Sequence, residues 1–163
     1  MRPEGLKRTI EIPEFVPVLP VRNTVLFPNA AVPLIIGRFK SVAAIKEAQR
    51  NNDLLCVVAQ KDPATDEPTH SELYRVGVIC LISKVKQVDN DSYQLLASGI
   101  FRFQIQVFVE KETFLAARGV QILEPIAANT ERLETLAAEV RQLAKSILSL
   151  ASIPGSDSLL KLF

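Results

Sequence analysis

The 163-residue sequence is 48% hydrophobic and 23% charged, with 19 Lys+Arg against 18 Asp+Glu. A chain this apolar buries enough surface to offset backbone entropy, which excludes a disordered polypeptide, and its length fits one core plus a short appendage. A net charge of +1 offers no basic footprint for a phosphate backbone.

The 15 uncharged residues between Arg22 and Arg38 carry Pro28 and Pro33 and fall short of the roughly 20 apolar residues of a bilayer span. The opening MRPEGLKRTIEIPEF mixes Arg2, Lys7 and Arg8 with Glu4, Glu11 and Glu14 and has no apolar h-region, so neither a secretory nor a transit signal fits. The expectation is a cytoplasmic protein with no membrane segment.

Prolines at 3, 13, 17, 20, 28 and 33 confine the first part of the chain to short extended pieces and turns. FVPVLPV and AAVPLIIG read as strands joined by a loop containing RNTVLFPN. From Phe39 to Asn51 a stripe of Val42, Ala43, Ile45, Lys46, Ala48 and Gln49 predicts a helix of about three turns, with Ser41 able to cap its start. Asn51-Asn52-Asp53 stops it.

LLCVVAQ (54–60) has the continuous apolar character of a strand buried on both faces, and KDPATDEPTHSEL reads as a polar surface loop. VGVICLISKVKQV is a strand that starts inside the fold and runs outward; Asp89-Asn90-Asp91-Ser92 then turns it into YQLLASG. After Gly99, IFRFQIQVFV alternates, placing Phe101, Phe103, Ile105, Val107 and Val109 on one face. TFLAARGVQILEP gives a further strand, ended by Pro125.

Beyond Pro125 the period changes. Leu133, Leu136, Val140, Leu143, Ile147 and Leu150 recur at three and four, predicting a long amphipathic helix from near Thr130, with Glu131 and Glu134 at its start and Lys145 toward its end. Pro154-Gly155-Ser156-Asp157 breaks it, and SLLKLF reads as the start of another helix. The apolar end at Phe163, with no C-cap or charge cluster, leads to the expectation of an N-terminal fragment of a longer protein.

The chemistry-bearing residues are few. No glycine is followed by lysine, so the phosphate-cradling GxxxxGK[ST] loop is absent, and the glycine spacing excludes GxGxxG. The single histidine, His70, removes two-His metal sites. Cys56 and Cys80 lie in strand interiors, where a thiol is a small reduced hydrophobe rather than a nucleophile for His70. Asp62, Asp66, Glu67 and Glu72 read as a solvated loop. No catalytic, cofactor-binding or metal-ligating residue is therefore assigned, and binding is what remains. At a strand-to-helix junction Phe39 stands between Arg38 and Lys40, either as an apolar anchor in a cationic frame or as a staple under the first helical turn with both cations solvated.

Four ordered segments, LPVRNTVLFPNAAVPLIIGRFKS (19–41), VVAQKDPATDEP (57–68), LYRVGVICLI (73–82) and LLASGIFRFQI (95–105), resemble the amino-terminal domain of the Lon family of ATP-dependent proteases. The most specific pieces are Leu-Pro-x-Arg, Pro-Leu-x-x-Gly-Arg, the Gln-Lys-to-Glu-Pro loop and Val76-Gly77. The resemblance implies an α+β, mainly β fold: a PUA-like β pseudo-barrel with one packed helix over 1–125, followed by a truncated α-helical subdomain over 126–163. It also implies a non-catalytic role, recognising unfolded, damaged or degron-bearing proteins in bacterial protein quality control and stress response. In the whole protein a homo-hexamer, an ATPase module using ATP and Mg2+, and a Ser–Lys peptidase module are expected, none of them in this chain. On that basis Arg38, Phe39 and Lys40 are the expected substrate contacts, and Leu133, Leu136, Val140 and Leu143 pack in the helical subdomain or on a neighbouring subunit. Two alternatives stand beside it: a free-standing polypeptide-binding protein of the same domain type, and a PUA-like RNA-binding module, which the near-neutral charge disfavours.

Overall fold

The computed structural model describes residues 11–89, 92–123 and 130–150. Its strands are Val16–Val21 (β1), Ala31–Ile36 (β2), Leu54–Ala59 (β3), Val76–Gln87 (β4), Tyr93–Glu110 (β5) and Leu115–Gln121 (β6). Its helices are Phe39–Arg50 (α1) and Thr130–Leu150 (α2), and a single 3-10 turn, His70–Glu72, interrupts the β3–β4 connection. Contacts divide the chain into two units after Leu123.

The strand order is β2-β5-β4-β3-β1-β6, and β6 also pairs with β5, so the sheet curls back on itself. Closure is uneven. The β5–β6 ladder extends from Phe103↔Gln121 to Glu110↔Leu115, whereas β1 meets β6 only at Val16↔Ala117 and Pro17↔Ala116. Pro17 has no N–H to give to that seam, and the result is the expected pseudo-barrel rather than a closed cylinder.

Alternate residues of the central strands feed two cores. Leu19, Val21, Leu55, Val57, Val78 and Cys80 join Ala44, Ile45 and Ala48 of α1 in one. Val16, Val18, Leu54, Cys56, Ile79, Phe103 and Ile105 build the other, without α1. A strand with a core on each side has no polar face, which is why LLCVVA reads as an unbroken apolar run. The parallel pairing of β1 with β3 requires a crossover, and α1 with the edge strand β2 forms it.

Several expectations shift by a few residues. Arg38, not Ser41, occupies the N-cap position, without a side-chain capping bond, and Ser41 is buried inside the helix. The buried face of α1 is Ser41, Ala44, Ile45 and Ala48, so the stripe is rotated from the expected one, and Lys46 and Gln49 are exposed. The helix stops as expected: Asn51 and Asp53 N–H both donate to Ala48 O at 2.9 Å, with Asn52 and Asp53 in the left-handed region.

The segments on either side of Gly99 form one continuous strand, β5. A register irregularity between Ile105 and Val107 re-aims its side chains, so that Val107 is exposed and Phe108 packs on the second core. The strand ending expected at Pro125 ends at Gln121. Pro125, Pro154-Gly155-Ser156-Asp157 and SLLKLF lie outside the described residues. α2 carries Glu131 in its first turn, Lys145 falls short of its last turn, and Leu133, Leu136, Val140 and Leu143 are exposed along it.

Candidate functional site

β2 leaves the sheet at Ile36, and α1 begins three residues later, at Phe39. Arg38 takes an extended conformation (φ −74°, ψ 136°), and its carbonyl accepts the N–H of Val42 at 2.9 Å. No acidic residue occupies the first helical turn, while Lys40 does. A cation there opposes the helix dipole at a cost of a few tenths of a kcal/mol, so Lys40 does not serve the helix.

Phe39 is 73% exposed, which removes the staple reading. It borders a groove of about 570 Å3 that Val42, Lys46, Tyr93 and Phe114 also line. The Lys46 ammonium lies 5.7 Å from the centre of the Tyr93 ring, a cation–π distance. On the other side of the junction a groove of about 540 Å3 separates β2 from the end of β1, with Pro20, Arg22, Thr24, Pro33 and Ile35 on its walls. Gly37 borders both grooves. Ile35 is 76% exposed, and Val25 and Phe27 of the loop after β1 are exposed as well.

Arg38 behaves differently from its neighbours. Its Nη1 donates to Gln60 Oε1 at 2.7 Å and to Asp66 O at 2.9 Å, and its Nη2 donates to Pro20 O at 2.5 Å. Gln60, only 7% exposed, turns its amide to the carbonyls of Asp62 (3.2 Å) and Thr65 (2.9 Å). Arg22 adds an ion pair to Asp66 at 2.5 Å. Burial lowers the Arg38 pKa, with the charge of Arg22 acting in the same direction and Glu67 and Asp66 opposing it. Arginine stays charged regardless, so this group is a fixed cationic clasp between β1, α1 and the loop after β3.

That loop is more organised than a solvated carboxylate cluster. Thr69 N–H and Oγ1 both donate to Glu72 Oε2 at 2.8 Å, a capping box that holds the Glu72 carboxyl below its usual range, the backbone bond contributing most. Asp66 is an exposed partner of Arg22. His70 stands at the surface with Nδ1 4.0 Å from Glu110 and its ring centre 6.3 Å from that of Phe108. Both cysteines are free and fully buried, and burial pushes Cys80 up to about 12 and Cys56 higher still, the reverse of an activated thiolate. Among the described residues no group of three or more His, Cys, Asp or Glu side chains is placed to hold a metal ion.

Two of the four sequence segments, 19–41 and 57–68, meet at this corner of the fold. The clasped loop is the Gln-Lys-to-Glu-Pro segment, and Arg22 and Arg38 come from the Leu-Pro-x-Arg and Gly-Arg segments. Gly99 N–H donates to Ala30 O at 2.8 Å and its carbonyl accepts Asn29 N–H at 2.9 Å. A Cβ on Gly99 would run into Phe27 O, and one on Gly77 would stand 2.8 Å from Val57 O. Only glycine lets these backbones approach so closely.

The family model of the ATP-dependent protease La (LON) substrate-binding domain matches residues 16–162. The chain belongs to the Lon substrate-binding domain family. Among curated relatives, Lon protease 2 of Myxococcus xanthus is 32% identical over 150 residues, and Lon protease of Nitrosococcus oceani is 38% identical over 135. These alignments take in 92% and 82% of this chain but only 18% and 17% of the relatives, so the chain spans less than a fifth of their length. The N-terminal domain of Mycobacterium avium complex Lon protease superposes with a TM-score of 0.69 at 23% identity, over 91% of this chain and 73% of that one. The Lon N-terminal domain protein from Xanthomonas campestris gives 0.55 at 16%, over 83% and 71%. Both share the fold of this Lon-family domain.

Arg38, Phe39 and Lys40 thus fall at one junction of the Lon-type domain, but only Phe39 and Lys40 are exposed. Sequence reasoning passed over Ile35 because it sits between Leu34 and Ile36 in an apolar run. Pro33 was the available signal: a proline inside a strand marks an edge, and at an edge alternate residues face solvent.

Proposed function

We propose that this domain recognises unfolded, damaged or degron-bearing polypeptides for an ATP-dependent protease whose cutting machinery lies in other parts of the parent chain. The observation that carries the reading is the exposure of Phe39 and Ile35 beside two open grooves on a corner locked from behind by Arg38. Exposed apolar side chains on a rigid frame suit a binder of apolar segments with little demand for a particular sequence. Phe39 supplies the apolar anchor, Lys40 holds acidic flanking residues, and Arg38 fixes the junction in place.

Each such contact is weak. In a homo-hexamer several domains would act on one client, and avidity would raise the overall affinity without new contacts. The ATPase module, with ATP and Mg2+, would pull the client toward a Ser–Lys peptidase site in the cytoplasm during quality control and stress. In the whole subunit, Leu133, Leu136, Val140 and Leu143 pack in the helical subdomain or on a neighbouring subunit.

The test is binding of this domain to a chemically unfolded, fluorescently labelled protein, with a structured RNA as the competing ligand at two salt concentrations. The client reading expects the unfolded protein to bind and Phe39→Ala to weaken it roughly five- to thirtyfold, the equivalent of removing about 1–2 kcal/mol of apolar burial. Tight RNA binding that collapses with salt, together with indifference to unfolded protein, would overturn it.

A further inference from the structure

We infer that the outer edge of β2 is a strand-pairing site, and that an unfolded client lies along it as an added extended strand. This rests on the client-binding reading above and specifies how the client is held. β2 is the terminal strand of the sheet, paired on one side with β5 from Ala31↔Ser98 to Ile36↔Tyr93. Within an antiparallel strand, successive residues turn their N–H and C=O groups to opposite sides. Two observations settle which set faces outward. Gly99 N–H donates to Ala30 O at 2.8 Å, so residues of the parity of Ala30 face β5. Pro33, paired opposite Leu96, has no N–H to give and falls in the other set. The carbonyls of Ala31, Pro33 and Ile35 and the N–H groups of Ala31 and Ile35 therefore point away from the sheet.

These groups repeat about every 7 Å along the edge, twice the rise per residue, a spacing that an extended main chain matches and a helix does not. The groove of about 540 Å3 lies beside Pro33 and Ile35 and provides room for the incoming strand. The Ile35 side chain, 76% exposed, offers that strand an apolar neighbour. Main-chain hydrogen bonds supply affinity without regard to side chains, which is what a receptor for many different unfolded sequences requires.

Pro33 also selects the occupant. Two copies of β2 laid antiparallel about residue 33 would bring two donorless positions together, so self-pairing is penalised. A client strand, with a donor at every position, fills the Pro33 carbonyl. One donor position remains empty on the β2 side, which keeps the pairing weak and reversible.

The experiment uses this chain and a labelled synthetic octapeptide of alternating valine and threonine, together with a twin N-methylated at its four central residues so that each of its edges loses two donors. The inference expects the parent peptide to bind and the twin to bind at least about tenfold more weakly, the loss of two or more hydrogen bonds. Ile35→Pro removes an outward donor without touching the β5 ladder and lowers affinity for the parent peptide, whereas Ile35→Ala keeps the donor and costs less. If Ile35→Pro fails to fold, the peptide pair alone decides. Equal binding of parent and twin overturns strand pairing while leaving the client reading intact. Failure of both peptides, with unfolded protein still bound, likewise overturns only the pairing. Failure of every ligand overturns both readings, and a chain that dimerises through β2 overturns the assignment of the edge to clients.

Discussion

Truncating Arg38 to alanine removes three donors at once. Asp66 O is exposed and rehydrates, but Gln60 Oε1 belongs to a buried side chain and Pro20 O is partly buried, so both are left short of a partner. An unsatisfied buried acceptor costs about 1–3 kcal/mol. Relief of the guanidinium's own desolvation and of its repulsion with Arg22 works in the opposite direction. The net expectation is a loss of about 1–3 kcal/mol, a sizeable fraction of the roughly 5–15 kcal/mol of a small domain. Urea unfolding measures it, and limited proteolysis between residues 61 and 72 reports whether the loop has come loose. Arg38→Lys restores little, because an ammonium does not reproduce the planar fork that reaches three acceptors. A loss below about 0.5 kcal/mol with the loop still protected would refute the clasp and make the guanidinium free to meet a client directly.

Three further expectations follow from the same geometry. Gly99→Ala forces a Cβ onto Phe27 O, so it lowers stability by more than about 1 kcal/mol in urea and broadens the NMR signals of residues 27–30, whereas unchanged spectra would contradict the close approach. The depressed Glu72 pKa means its capping box stabilises fully above the unfolded value of about 4.3 and is lost as pH falls through the lower folded value. Hydrogen exchange at Thr69, corrected for intrinsic rate, should therefore lose protection only in acid. Cys56 and Cys80 resist thiol reagents in the native state at pH 8 and react on unfolding. Their raised values mean that stability declines as pH rises above about 8.5, by about 1.4 kcal/mol per unit for each thiol, until Cys80 itself ionises near 12.

The elements were legible where one period dominated. The unbroken run LLCVVA announced a strand with a core on both faces, and the change to threes and fours beyond Thr130 announced α2. Register was not. The irregularity after Ile105 exposes Val107 and turns Phe108 toward the core, a displacement that no count of alternating residues anticipates. Side-chain roles were legible only in part. Phe39 was recognisable as an aromatic between two cations, yet the sequence does not say that Arg38 reaches Gln60, 22 positions away, because that bond exists only once β1, α1 and the loop after β3 have met. Ile35 was concealed by its apolar neighbours Leu34 and Ile36; Pro33 alone hinted at an edge, which the order of the sheet then establishes.

The most direct test of the central claim compares one protein in two states. Fluorescence anisotropy of this domain titrated into reduced, carboxymethylated lysozyme and into native lysozyme, each carrying the same label, asks whether the exposed corner distinguishes an unfolded chain from a folded one. The account predicts a Kd on the order of 1–100 μM for the unfolded form, at least tenfold weaker binding of the native form, and loss of the difference in Phe39→Ser/Ile35→Ser. Equal affinity for both forms, or full retention of binding in the double variant, would contradict it.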